Sequence, residues 1–233
     1  MARTVNEHEY AAKRNEILDV VQRLVETKGY EQMTIQDLLD DLQISKGALY
    51  HYFDSKEALL EGLIERSLHE TEQQLLAIAH HPALSAFAQL QAFFSALVAW
   101  KYAQQTLVLA LLRIWYLDDN ALMRQKLHET RVKRFTPLLE VILRQGREEG
   151  SMTPTSPDQT SRIILWLLED LSDTLARLLL SHEPGQEKDL LIERIVAAST
   201  EAVERILGVP RGALQLVNTQ QLLRAWRGSR EGR

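Results

Sequence analysis

The chain has 233 residues, 45% apolar, 25% charged and 6% aromatic, with no cysteine and a formal net charge of −5. That composition excludes a disordered chain, disulfides, thiolate metal sites and a cysteine nucleophile. The acidic balance argues against a protein that coats nucleic acid without sequence preference, a mode driven by excess Lys and Arg.

Ten glycines and six prolines fall well under the average usage of roughly 12%, so long uninterrupted helices are expected. The N-terminus, MARTVNEHEYAAKRNE, is polar and has no apolar signal core. The longest weakly charged stretch, Ala83–Leu117, carries only Lys101 and Arg113 and is broken by Gln89, Gln91, Gln104 and Gln105. It reads as two core helices and not as a membrane span. A cytoplasmic chain without membrane contact is expected.

Residues 9–28 are amphipathic, with Tyr10, Ile17, Val20, Val21, Leu24 and Val25 on one face and Gly29 as the stop. Thr34 is set to cap a second helix striped by Ile35, Leu38, Leu39 and Leu42, with Asp37 near its positive end. Ser45 caps a short third helix to about Tyr52. Asp54 or Ser55 caps a fourth, to about Ala79. Longer helices follow at roughly 84–104, 106–117, 119–148, 158–181 and 188–207, with a short one around 214–227. No strand-period segment and no internal repeat is found. The expected fold is all-α: a three-helix head over 1–54, then a connecting helix and larger helical body over 55–233.

A short helix, a tight turn and a second short helix make a helix-turn-helix, which places its second helix in the major groove of DNA. On the wheel of that second helix, Ala48, Leu49, Tyr52 and Phe53 are expected to pack inward. Lys46, Gly47, Tyr50 and His51 face out, as a cation, a bare backbone position, an aromatic hydroxyl and an imidazole suited to phosphates and base edges. Gln36 is placed to reach DNA from the helix before. Lys56 begins the next helix, where its ammonium and the free N–H groups suit a phosphate.

The run from Thr34 to Lys56 resembles the signature of TetR-type bacterial transcriptional regulators. It is carried by Ser45-Lys46-Gly47, Leu49-Tyr50, Tyr52-Phe53, and Lys56 followed by Leu59, with Gly29-Tyr30 and Met33-Thr34-Ile35 upstream. The resemblance implies a homodimer, acting as a repressor, whose two heads read half-sites of a palindromic double-stranded DNA operator. Those half-sites lie ~34–36 Å apart or a multiple of it. It assigns phosphates to Thr34, Tyr50, Tyr52 and Lys56, and bases to Gln36, Lys46, Gly47 and His51, with Ser45 capping the reading helix. Gln43 stands in the turn where the family usually has glycine, and Asp40 and Asp41 are unusual so near that turn.

Residues 1–66 hold eight Lys and Arg against thirteen Asp and Glu, whereas 67–233 balance. The segment from Gln43 to Lys56 is nevertheless slightly positive, with two Lys against one Asp. The acids of the first and fourth helices are expected to face away from DNA. Weak non-specific binding follows.

In the body the resemblance implies a small-molecule effector that releases DNA, and a dimer formed through the helices at about 158–181 and 188–207. Trp100, Arg113, Tyr116, His128, Trp166 and Asp170 are the candidate effector residues. An apolar pocket with one cation suits a hydrophobic anion. The alternative is that Arg113 reaches a rim or pairs with Asp118, Asp119 or Glu169. On the helix 158–181, Arg162, Trp166, Glu169, Asp170, Asp173 and Arg177 form a charge stripe read as solvated, with Asp173 and Arg177 set to pair. The seven histidines lack zinc-helix spacing, and no nucleophile–base pair or phosphate loop is found. No enzyme, metal or cofactor is expected.

Overall fold

A computed structural model describes residues 2–103, 107–108, 112, 121–181 and 186–224. Among them there are helices and no strand. In chain order the helices are α1 (Ala2–Lys28), α2 (Ile35–Leu42), α3 (Lys46–Tyr50), α4 (Lys56–Ala79), α5 (Ala86–Ala103), α6 (Ala121–Glu148), α7 (Pro157–Leu180) and α8 (Gln186–Leu207). A further helical stretch spans 219–224. The expected helix at 106–117 falls largely outside the described residues. The chain divides into two compact units, residues 1–69 with 106–114 and residues 70–105 with 115–233.

The first unit is built on α1, which starts well before the expected residue 9. Its Ile17, Leu18, Val21 and Val25 are fully buried, the spacing of a single helical face. Gly29 ends it at φ +82. Thr34 then begins α2 with a capping box. Its hydroxyl accepts the Asp37 N–H at 3.1 Å, and the Asp37 carboxylate accepts the Thr34 N–H at 2.9 Å. The Leu38 side chain inserts into the core.

Gln43 closes α2 at φ 51, the left-handed conformation that glycine adopts without strain. It is the only non-glycine residue with positive φ among the described residues. The Ile44 N–H reaches back to the Leu39 carbonyl across this turn. Ser45 caps α3 by accepting the Ala48 N–H at 3.2 Å, and Ser55 caps α4 by accepting the Ala58 N–H at 3.1 Å.

Leu49 and Phe53 are buried and anchor α3. Gly62 of α4 lies directly under Phe53. A Cβ there would sit 2.7 Å from the Phe53 ring, 3.2 Å from Arg14 and 3.3 Å from Leu18. The guanidinium of Arg14 lies 4.8 Å from the Phe53 ring centroid.

In the second unit α6 packs against both α5 and α7, and α7 packs against α8. Leu139, Ile142 and Leu143 of α6 are fully buried, as are Leu90 and Phe93 of α5. Glu149, just past α6, accepts the N–H of Ala86 at 3.0 Å and so closes the start of α5. Gln91 of α5 both donates to the Gln215 carbonyl and accepts its N–H, at 2.9 and 3.0 Å. Leu223, from the last helical stretch, enters the apolar seam formed by Leu171, Leu175 and Leu179 of α7 with Ile192 and Val196 of α8. No helix among the described residues is long and apolar enough to cross a membrane.

Candidate nucleic-acid interface

The sequence of α2 gives it three faces. Leu38 points into the core. Asp37 and Asp41 turn toward α1, where Lys28 meets Asp37 at 2.6 Å and Arg23 grips both oxygens of Asp41 at 2.8 Å. Gln36 and Asp40 form the exposed third face. The Asp37 carboxyl is pulled down to about 2, first by Lys28 and then by the Thr34 backbone and hydroxyl donors. Arg23 lowers Asp41 in the same way. Two of the three acids of α2 are thus matched to cations of α1.

After the Gln43 turn, α3 exposes Lys46, Gly47, Ala48 and Tyr50. Ala48 was expected inward and instead is exposed, because a five-residue helix buries only one position, here Leu49. The Lys46 ammonium lies 5.7 Å from the Tyr50 ring centroid. At Gly47 an added Cβ would meet nothing nearer than the Ser45 hydroxyl at 4.0 Å. Nothing inside the head demands glycine there. The hydroxyls of Thr34 and Ser45 accept from the backbone, and each has one hydrogen left to donate outward.

His51 and Tyr52 are organised by a residue that the wheel of α3 could not reveal. Tyr10, from the first half of α1, stacks on Tyr52 with centroids 4.7 Å apart and meets the His51 ring edge-on at 5.7 Å. His51 is exposed and Tyr52 half-buried. Tyr52, expected inward on the wheel of α3, stacks its ring on Tyr10 and is half-buried. The spacing of Tyr10 on the apolar face of α1 was legible, but its partners, some forty residues on, were not.

Lys56 is half-buried and bends back to the α1–α2 loop. Its ammonium donates to the Glu31 carbonyl at 3.2 Å and sits 4.5 Å from the Tyr30 ring centroid. The Tyr30 phenol is pushed up to about 12, by burial first and then by Glu57 and Glu61. The start of α4 is less open than the sequence suggests. The Glu57 carboxyl is lowered by its own backbone N–H and by the Ser55 hydroxyl, so a carboxylate already faces those donors.

Of the remaining candidates, Arg113 and Tyr116 lie outside the described residues, as does the side chain of Trp100. His128 lies on α6, with its Nε2 3.5 Å from Glu169 and 3.3 Å from Asp173 of α7. Arg131 adds a contact to Glu169 at 3.2 Å, and Arg124 one to Asp173 at 3.8 Å. The charge stripe of α7 is therefore not simply solvated. Asp173 pairs with α6, while Arg177 donates to Thr174. Trp166 and Asp170 are exposed, and Trp166 stands with exposed Ile163 on α7. Leu190 and Leu191 of α8 are also exposed.

Residues 17–63, which hold the whole α2–turn–α3 unit, match the family described as bacterial regulatory proteins, tetR family. Over those residues the chain carries a region like the tetR-family DNA-binding region. Among its relatives, the HTH-type transcriptional regulator YfiR of Bacillus subtilis is 27% identical over 64% of this chain and 73% of that protein. The HTH-type transcriptional repressor KstR2 of Mycolicibacterium smegmatis is 28% identical over 62% of this chain and 69% of its own length. Similar folds are found in the reduced form of NemR from Escherichia coli, with a TM-score of 0.56 at 23% identity over 84% of this chain and 97% of that one. A TetR-family transcriptional regulator from Pectobacterium atrosepticum has a TM-score of 0.63 at 18% identity, over 88% and 98% of the two chains. The match and the relatives make this chain a DNA-binding regulator of transcription and not an enzyme.

Proposed function

We propose that the protein represses transcription by binding a palindromic operator as a homodimer, and that a small molecule held in the body releases it. The observation that carries the DNA reading is the outward surface of α3. Gly47 is open where no internal contact requires glycine, and it is flanked by Lys46 and Tyr50. A bare backbone beside a cation and a hydroxyl suits close approach to a groove wall. The pairing of Asp37 and Asp41 with α1 cations removes two anions from the surface next to it. Thr34, Tyr50, Tyr52 and Lys56 are the phosphate contacts of this reading, and Gln36, Lys46, Gly47 and His51 the base contacts. Lys56 must exchange the Glu31 carbonyl for a phosphate.

Homodimerisation is supported by Ile163 and Trp166 on α7 with Leu190 and Leu191 on α8, large apolar side chains left in water on two neighbouring helices. The preference for a hydrophobic anion rests on the sequence around Arg113. Among the described candidates, His128 is engaged with α7 carboxylates.

The test begins with selection of duplexes from a random library by the full-length protein. Lys46→Ala and Tyr50→Ala should each weaken binding to the selected duplex about tenfold or more, the cost of losing a close contact. Sedimentation should show the dimer unchanged. Undiminished binding by both variants would overturn the docking of α3. Leu190→Asp with Leu191→Asp should shift sedimentation to the monomer.

A further inference from the structure

Asp40 is the acid of α2 that takes no α1 cation. Its carboxylate instead accepts the side-chain amide of Gln36 at 2.7 Å, one helical turn earlier. Its backbone carbonyl accepts the Gln43 amide at 2.5 Å, on the residue that forms the left-handed turn. A carboxylate only accepts hydrogen bonds, so the nitrogen of the Gln36 amide must be the end that faces it. One amide hydrogen is used there. The carbonyl oxygen and the second hydrogen remain for an outside partner. Without Asp40 the amide could present either end, because its oxygen and nitrogen exchange places by a simple rotation of the terminal torsion.

From this geometry we propose that Asp40 is a positioning residue that fixes the orientation of Gln36 and thereby selects adenine at the base Gln36 reads. In the major groove adenine offers a donor at N6 beside an acceptor at N7, the complement of an outward carbonyl oxygen and amide hydrogen. Cytosine offers the N4 donor alone. Guanine shows only acceptors at that edge, and thymine an acceptor and a methyl group. The order at this position is adenine, then cytosine, with guanine and thymine disfavoured. The inference rests on the proposed docking of Gln36 at a base edge.

Removing Asp40 has a second effect, which the experiment must separate. Loss of an anion beside DNA strengthens binding to every sequence alike, whereas loss of orientation changes preference at one position. Random-library selection is therefore run on the full-length wild type, Asp40→Ala, Asp40→Asn, Gln36→Ala and the Asp40→Ala/Gln36→Ala double variant. Thermal melting of each confirms folding. The wild type should favour adenine over guanine at one position of each half-site by about tenfold or more, the discrimination of a bidentate base contact. Asp40→Ala should flatten that position alone. Asp40→Asn should flatten it as well, because an Asn amide can offer Gln36 either its oxygen or its nitrogen. In the Gln36→Ala background, loss of Asp40 should change nothing further at that position.

Guanine selected by the wild type, or an undiminished preference in Asp40→Ala, would each overturn the inference. A selected motif that Gln36→Ala leaves untouched overturns it while the DNA-binding reading stands. Failure of the wild type to enrich any sequence sinks that reading first, and the inference with it.

Discussion

The two units of this chain both use ion pairs between neighbouring helices, and to different ends. In the head the pairs between α1 and α2 are surface contacts, with the Arg23 and Lys28 side chains 56% and 47% exposed. In the body Arg131, His128 and Glu169 are only 14–17% exposed, wedged between α6 and α7. Exposed pairs contribute little to stability, because water screens the attraction and two long side chains lose freedom. Their effect is on the field outside: they cancel carboxylates that would repel DNA. Partly desolvated pairs stabilise little as a whole, but removing one partner strands a charge in a place poor in water. The same chemistry thus shapes recognition in one unit and locks helix packing in the other.

The sharpest way to break this contrast is Glu169→Ala. It leaves Arg131 without its carboxylate and His128 with one acid in place of two. The expected loss is about 2–4 kcal/mol, somewhat below that for a fully buried pair, read as a lowered urea midpoint. A loss no larger than that of a surface pair would place the body cluster in the same class as the head pairs. Gly62→Ala should follow, at about 1–3 kcal/mol, as the added methyl group forces Phe53 or Arg14 to move. The hydrogen exchange of α3 amides should rise with it, since Phe53 anchors that helix.

Arg23→Ala is expected to leave the urea midpoint nearly unchanged while weakening binding to the selected duplex, because Asp41 is then uncompensated. Its dependence on salt should remain shallower than the slope near −9 of a protein with ~10 phosphate contacts. A large fall in stability with DNA binding intact would reverse the roles assigned to the two kinds of pair. The smallest effect concerns pH. Asp37 titrates near 2 in the folded head against an ordinary 3.8, so its contribution is complete above about pH 4 and disappears as pH falls toward 2. Asp41 and Glu57 are shifted in the same direction. The stability advantage of wild type over Asp37→Asn, measured by urea unfolding, should therefore shrink across that window and stay flat from pH 5 to 7.

Much of the head was legible before any coordinates. Thr34 and Ser45 cap α2 and α3 as their sequence positions suggest, Ser55 of the two candidates caps α4, and Gln43 is left-handed where the family usually has glycine. Ala48 was misplaced because a helical wheel assumes a face as wide as that of a long helix. The role of Asp40 was visible only as an oddity in the family pattern. Asp173 was assigned to Arg177 by spacing within one helix, and that spacing could not show that α6 brings Arg124 and His128 to it.

By itself, the sequence determined where α2, α3 and α4 start and which family the head resembles. Caps, glycines and apolar periods act over a few residues, and their physics is contained in that span. Tertiary structure alone decided which charges meet: Arg23 with Asp41 across 18 residues, Arg66 with Asp19 across 47, and Arg131 with Glu169 across 38. Net charge is a sum over residues, but the field that DNA meets depends on the distances between them. Those distances exist only once the helices have packed.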